Sequence, residues 1–198
     1  MSDSHALNFP GSYTLVLHAT QPSSLMVGKA GRLEVWPGYY VYTGSAFGPG
    51  GLRARLARHL RGPLKLYWHI DYLRQVTVPL ETWVVLGGEN HEHAWARALI
   101  QLPYASLPMP GFGASDCRCP AHLIYLSNLP HPKILMEQLS GCIPDGSPLQ
   151  RWLPDEILAG APTHHESATI TKPPSQLSLQ PQQQSLHVDQ QSLRSAQT

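Results

Sequence analysis

The sequence predicts a mixed α/β domain of the α+β type, in which helices flank a small antiparallel sheet and a disordered tail follows. Three observations carry this. Within the first 50 residues, short runs of strand formers with period-two alternation are bounded by Gly and Pro. Leu52, Leu56 and Leu60 then recur at helical spacing directly after Gly48-Pro49-Gly50-Gly51. Finally, residues 171–198 turn to Gln, Ser and Pro, which leaves too little apolar surface to offset the entropy of ordering them.

The elements follow in order. Residues 13–19 (YTLVLHA) are rich in strand formers and end in the turn Gln21-Pro22-Ser23-Ser24. Residues 24–27 and 31–36, joined across Gly28, read as a hairpin. Residues 38–46 alternate Tyr40, Tyr42 and Gly44 on one face with Tyr39, Val41 and Thr43 on the other. A helix over 52–61 packs on this sheet, and 69–73 starts a further helical turn. Residues 82–86 form a strand, and 89–102 carry helical spacing in Trp95, Ala98, Leu99 and Leu102. A Pro-rich loop leads to a last strand over 123–126 and a helix over 132–139 opened by Pro132.

The expected boundaries are an N-terminal extension (1–10), one folded domain (11–142), a short C-terminal extension (143–160) and a disordered tail (161–198). Three cysteines without a signal-peptide pattern argue for a reducing compartment, read here as the cytoplasm. Apolar runs such as 83–86 are far shorter than the roughly 20 residues a membrane span needs. The formal net charge is only +1, yet no Asp or Glu occurs between Val35 and Ile70, where Arg53, Arg55, Arg58, Arg61 and Lys65 cluster. One surface is therefore expected to be locally positive and suited to phosphate.

On a helical wheel, Arg55 and His59 lie along one border of the leucine stripe and Arg53 along the other, while Arg58 and Arg61 point to solvent. An arginine fork at the border suits bidentate phosphate contact. The outward pair suits nonspecific contacts to a nucleic-acid backbone, or simply forms a solvated face. Glu92 falls on the apolar side of its helix. A buried carboxylate needs compensation, so Glu92 either pairs with an arginine or binds a divalent metal.

Gly11-Ser12-Tyr13, Tyr42-Thr43-Gly44, then Arg55, His59 and Glu92 together resemble the GIY-YIG nuclease superfamily. The strings GYYVYTGSA, RLARHL, WHIDYL and GFGASDCRCPAHLIYL are similar to a compact branch catalogued as a domain of unknown function, sometimes found beside an endonuclease III-like domain. The resemblance spans roughly residues 11–128. It implies a metal-dependent endonuclease that hydrolyses DNA phosphodiesters with low sequence specificity, in DNA repair. Tyr13 and Tyr42 would orient or activate water, with His59 a further polar group beside the nucleophile and Arg55 stabilising phosphate charge. Glu92 would hold one Mg²⁺ or Mn²⁺, and Arg53, Arg58, Arg61 and Lys65 would contact the backbone. The alternative is a nucleic-acid-binding module of a repair complex that does no chemistry. The sequence departs from the pattern in Ser12 and Thr43, which replace central aliphatics, and in the 28 residues between the triplets, a gap the extra hairpin explains.

Other groups stay open at this level. His69 and Asp71 could be ligands or a base, or could serve the start of a helix. Cys117, Cys119 and His122 offer three zinc-type ligands, with Cys142 a distant fourth, but C-x-C is shorter than usual zinc spacing. Otherwise their loop is a turn set by Gly111, Gly113 and Asp116.

Overall fold

β1 (Gly11–Ala19) is buried along nearly its whole length, which its unbroken run of large apolar and small polar residues anticipates. β2 (Ser23–Met26) and β3 (Arg32–Val35) form a separate two-stranded ribbon joined through the single helical turn Gly28–Ala30. β4 (Gly38–Ala46) returns antiparallel to β1 in unbroken register from Gly11 opposite Ala46 to Ala19 opposite Gly38. The chain is described by a computed structural model over residues 4–62 and 64–159. The expected tail lies outside the described residues.

After β4 come α1 (Gly51–Arg61) and α2 (His69–Leu73), then β5 (Val78–Leu86) on the free edge of β1 and α3 (Glu92–Leu99). The two-residue β6 (Ala105–Ser106) and β7 (Leu123–Leu126) extend the sheet beyond β4, and α4 (Pro132–Ser140) follows. β8 (Gln150–Trp152) closes the other edge beside β5, and α5 (Pro154–Leu158) ends the described chain. The six strands run β6-β7-β4-β1-β5-β8 with every pairing antiparallel.

Strand alternation divides the sheet into two packed faces. Tyr13, Leu15, Leu17, Tyr40 and Tyr42 pack with Leu52, Leu56 and Leu60 of α1, Ile70 and Leu73 of α2, and Ile157 of α5. Val16, Val41, Trp83 and Ile124 face the other way onto Trp95 and Leu99 of α3 and Leu135 and Leu139 of α4. The leucine stripe and the apolar face of α3 thus lie on opposite sides of one sheet. Among the described residues, no helix is long and apolar enough to cross a membrane.

The ends of the fold differ from the expected boundaries. Leu7, outside the expected domain, is fully buried, and so is Ile157. Trp152 of β8 is also buried, and Glu81 of β5 pairs with Arg151 while accepting a 2.8 Å hydrogen bond from Trp83 Nε1. Residues 143–159 therefore complete the core; the short strand and five-residue helix were too brief for periodicity to reveal. Arg53 is corrected with them. It is 4% exposed, its Nε donates to Asn8 Oδ1 (3.2 Å) and its Nη1 to the Ile157 carbonyl (2.9 Å). It clamps the two chain ends onto α1 and is withdrawn from any nucleic-acid face. Ile157→Ala should therefore cost about 2–5 kcal/mol of stability in chemical denaturation; an unchanged midpoint would show that the C-terminal segment is not part of the core.

Candidate functional site

A cleft of about 560 Å³ opens where the C-terminal end of β4 meets α1 and α3, lined among others by Tyr13, Tyr42, Gly44, Arg55, Glu92 and Asp116. Tyr13 and Gly44 are opposed across the β1–β4 pair. A Cβ at residue 44 would collide with the Tyr13 hydroxyl and ring, so the glycine of Tyr42-Thr43-Gly44 is what lets the Tyr13 ring lie across the strand. Behind it, Tyr13 Oη and His59 Nε2 are 2.9 Å apart. His59 is 1% exposed, and among the described residues its Nδ1 has no partner. An orphaned buried N–H is rarer than an orphaned acceptor, so we assign the ring proton to Nε2, donating to Tyr13 Oη. The Tyr13 O–H is then free to donate into the cleft.

Burial pushes the His59 imidazole down to about 3, and the Arg55 charge adds to this. Burial also pushes both phenols up, Tyr13 well above its ordinary value and Tyr42 likewise, each reinforced by Glu92 and opposed by Arg55. The chain's own groups therefore do not lower either phenol toward an ionised form. At neutral pH this wall is an uncharged hydrogen-bonding surface.

Arg55 stands over the Trp68 ring at 4.4 Å, and among the described residues no carboxylate pairs with it. Arg58 covers the same ring at 4.0 Å but is forked onto Asp71 at 2.7 and 2.6 Å. Asp71, 1% exposed, also accepts from the backbone N–H groups of Tyr67 and Trp68, both at 2.8 Å. The wheel put Arg58 in solvent because it could not see that Trp68-His69-Ile70-Asp71 folds back over α1. Arg58 is thus a clamp more than a backbone contact. Arg61 is half-buried at the end of α1, and Lys65 is exposed beyond it. Asp71 serves the helix start, while His69 turns to the cleft, where its Nδ1 accepts from Gly113 N–H at 2.9 Å. A Cβ at Gly113 would approach the Tyr42 ring at 3.0 Å, and its φ of +74° favours glycine.

Among the described residues, Glu92 pairs with no arginine. Its Oε2 accepts from Ser45 Oγ (2.7 Å), and its Oε1 lies 2.7 Å from His122 Nδ1. The His122 contact is close but lacks hydrogen-bond geometry, and it is an ion pair only when the imidazole is protonated. Burial alone would raise the carboxyl, yet the His122 and Ser45 contacts, with His93 nearby, hold it below the usual range. Ser12, the odd central letter of its triplet, accepts from His91 N–H at 2.9 Å. Its hydroxyl satisfies an orphan donor at the start of α3 and so fixes the turn that presents Glu92 and His93.

Behind Glu92 lies a group that the sequence disclosed only in part. His93, Cys117, Cys119 and His122 bring one ligand atom each within 4.8 Å of one another, a set that can hold a metal ion. The fourth member is His93 and not Cys142, whose thiol contacts the Ala94 and Gln138 carbonyls. His93 was missed because it lies 24 residues before Cys117 in the sequence; its position one residue after Glu92 was the available signal.

Because His59 stays neutral in the fold, its imidazole resonances should not titrate between pH 8 and pH 5. The unfolded chain takes up the proton first, near pH 6.5. Its contribution is therefore complete above that pH and is lost on acidification toward about 3, at up to ~1.4 kcal/mol per pH unit. His59→Gln should flatten that slope; a His59 signal titrating near 6.5 would contradict the buried neutral pair.

No curated protein and no solved structure is detectably similar to this chain. One family model does match, described as domain of unknown function DUF123, and it covers residues 12–142. That span begins at Ser12 in β1 and runs through the cleft and the Cys/His group to the end of α4. With about two thirds of its length matched, the chain belongs to the DUF123 family.

Proposed function

We infer that the cleft binds the phosphate backbone of DNA and hydrolyses a phosphodiester with the help of one divalent cation. The observation that carries this is the pairing, within one cleft, of a cation without a carboxylate partner, Arg55, and an ionised carboxylate, Glu92, with two phenols between them. The resemblance of these residues, in order, to the GIY-YIG nucleases supports the same reading. Arg55 keeps its fork for the phosphate because Asp71 is consumed by Arg58. Tyr67, 80% exposed on the cleft wall, offers a ring on which a base can stack.

The residues divide the work. Arg55 takes up charge developing on the phosphate. Tyr13 and Tyr42, protonated at neutral pH, donate hydrogen bonds that orient water or the phosphate oxygens, and His59 holds Tyr13 in place. Glu92 and Asp116 are the carboxylates of the cleft. Both Glu92 oxygens already have one partner, but a carboxylate has about four lone-pair sites, so room remains for Mg²⁺ or Mn²⁺. Such an ion supplies Lewis-acid charge that lowers the pKa of water.

The prior commitment of both Glu92 oxygens and the upward push on both phenols favour a second reading, a DNA-binding module without chemistry. Labelled single-stranded, duplex and branched DNA, incubated in Mg²⁺ or Mn²⁺, separates the two. Arg55→Ala should slow cleavage by about 10²–10³-fold, and Glu92→Ala should abolish it. Salt-sensitive binding without cuts on every substrate would leave the binding module.

A further inference from the structure

We propose that His93 Nδ1, His122 Nε2, Cys117 Sγ and Cys119 Sγ bind one structural zinc ion, and that Glu92 is the outer carboxylate that orients His122 toward it. This holds whether or not the cleft cuts DNA.

Three of the six ligand separations have the length expected of a tetrahedral site, and all six are within 4.8 Å. His93 Nδ1 to His122 Nε2, Cys117 Sγ to His122 Nε2, and Cys119 Sγ to His93 Nδ1 are each 3.4 Å. With metal–sulfur and metal–nitrogen bonds of roughly 2.3 and 2.0 Å, tetrahedral ligands lie roughly 3.3–3.8 Å apart. Two thiolates and two imidazoles suit zinc and do not suit Mg²⁺ or Mn²⁺, which prefer oxygen. Each thiol releases its proton to solvent on binding, so two thiolates cancel the 2+ charge. That neutral core fits a place where His122 is fully buried and the other three are half-buried. All four positions are filled by protein, which is the mark of a structural site and leaves no position for a reactive water.

The outer contacts are also those a zinc site uses. Cys119 N–H points at Cys117 Sγ (3.5 Å), where it can stabilise thiolate charge. His122 turns Nε2 to the cluster and Nδ1 to Glu92 Oε1, and Ser45 Oγ holds the other oxygen of Glu92. A carboxylate behind a ligating histidine fixes its tautomer and raises its basicity. The ligands come from α3 and the 107–122 loop, of which His122 is the last residue, so the ion would tie that loop to the wall carrying Glu92. The short C-x-C spacing works because His122 and His93, on separate elements, supply the remaining two positions.

The test uses the purified 198-residue chain. Elemental analysis should find about one zinc per chain, and X-ray absorption should give two sulfur and two nitrogen neighbours. Cobalt added to the zinc-stripped chain should give the visible bands of tetrahedral Co²⁺ with thiolate charge transfer. Cys142→Ser should leave all of this unchanged. Glu92→Gln should retain zinc but weaken it about 10–100-fold in chelator competition. Absence of zinc together with an octahedral, thiolate-free cobalt spectrum would overturn the site. An oxygen-rich absorption shell in the wild-type protein would do so without any variant, and an unchanged affinity in Glu92→Gln would overturn the role given to Glu92.

Discussion

Everything at the cleft depends on how one carboxylate is held. Glu92 sits in the first turn of α3, and its two oxygens meet Ser45 of β4 and His122 just before β7. Three elements from distant parts of the chain therefore converge on one charge. Taking an ionised carboxylate from water costs several kcal/mol unless charged or hydrogen-bonded partners replace the lost hydration. Here they do, and the partners share the work: Ser45 comes from the strand that carries Tyr42 and Gly44, and His122 from the Cys/His group. The same contact that keeps Glu92 ionised thus couples the cleft wall to the loop behind it.

The opposite wall is built on a different constraint, the exclusion of charge. Tyr13, Tyr42 and His59 are packed so closely that burial dominates their protonation. The hydroxyl of Tyr13 is positioned by an imidazole that cannot easily become cationic. Above this neutral floor, Arg55 is the half-buried positive group that lines the cleft, kept from competing acids because Asp71 is spent on Arg58 and on two backbone donors. An anion entering the cleft would meet one fork, two phenols and the carboxylates of Glu92 and Asp116. These two repel it unless a cation intervenes, which is why a cation belongs to the functional reading at all.

Local periodicity made the sheet and main helices legible. β4 has the bounds its alternation predicted, β7 has the bounds read for the last strand, and the predicted helix lacked only Gly51 of α1. β8 and α5 were hidden because three and five residues carry no period, although Trp152 and Ile157 are core residues. At the site, the i, i+4 relation between Arg55 and His59 was readable, since one helix fixes it. What was not readable were relations across elements. These include Arg58 with Asp71 over a folded-back loop, Arg53 with the chain ends, Ser12 with His91, and His93 with the Cys117-Arg118-Cys119 turn. A short C-x-C looked deficient as a metal motif because half of its ligands lie outside it.

The cleft between Arg55 and Glu92 is the proposed nucleic-acid site. Backbone amide shifts of the labelled protein, followed by NMR during titration with a short DNA duplex at low salt, test it most directly. The account predicts that perturbations concentrate at Tyr13, Gly44, Arg55, Tyr67, Gly113 and Asp116, and that added salt reverses them. Perturbations confined to surfaces away from these residues, or none at all, would contradict it.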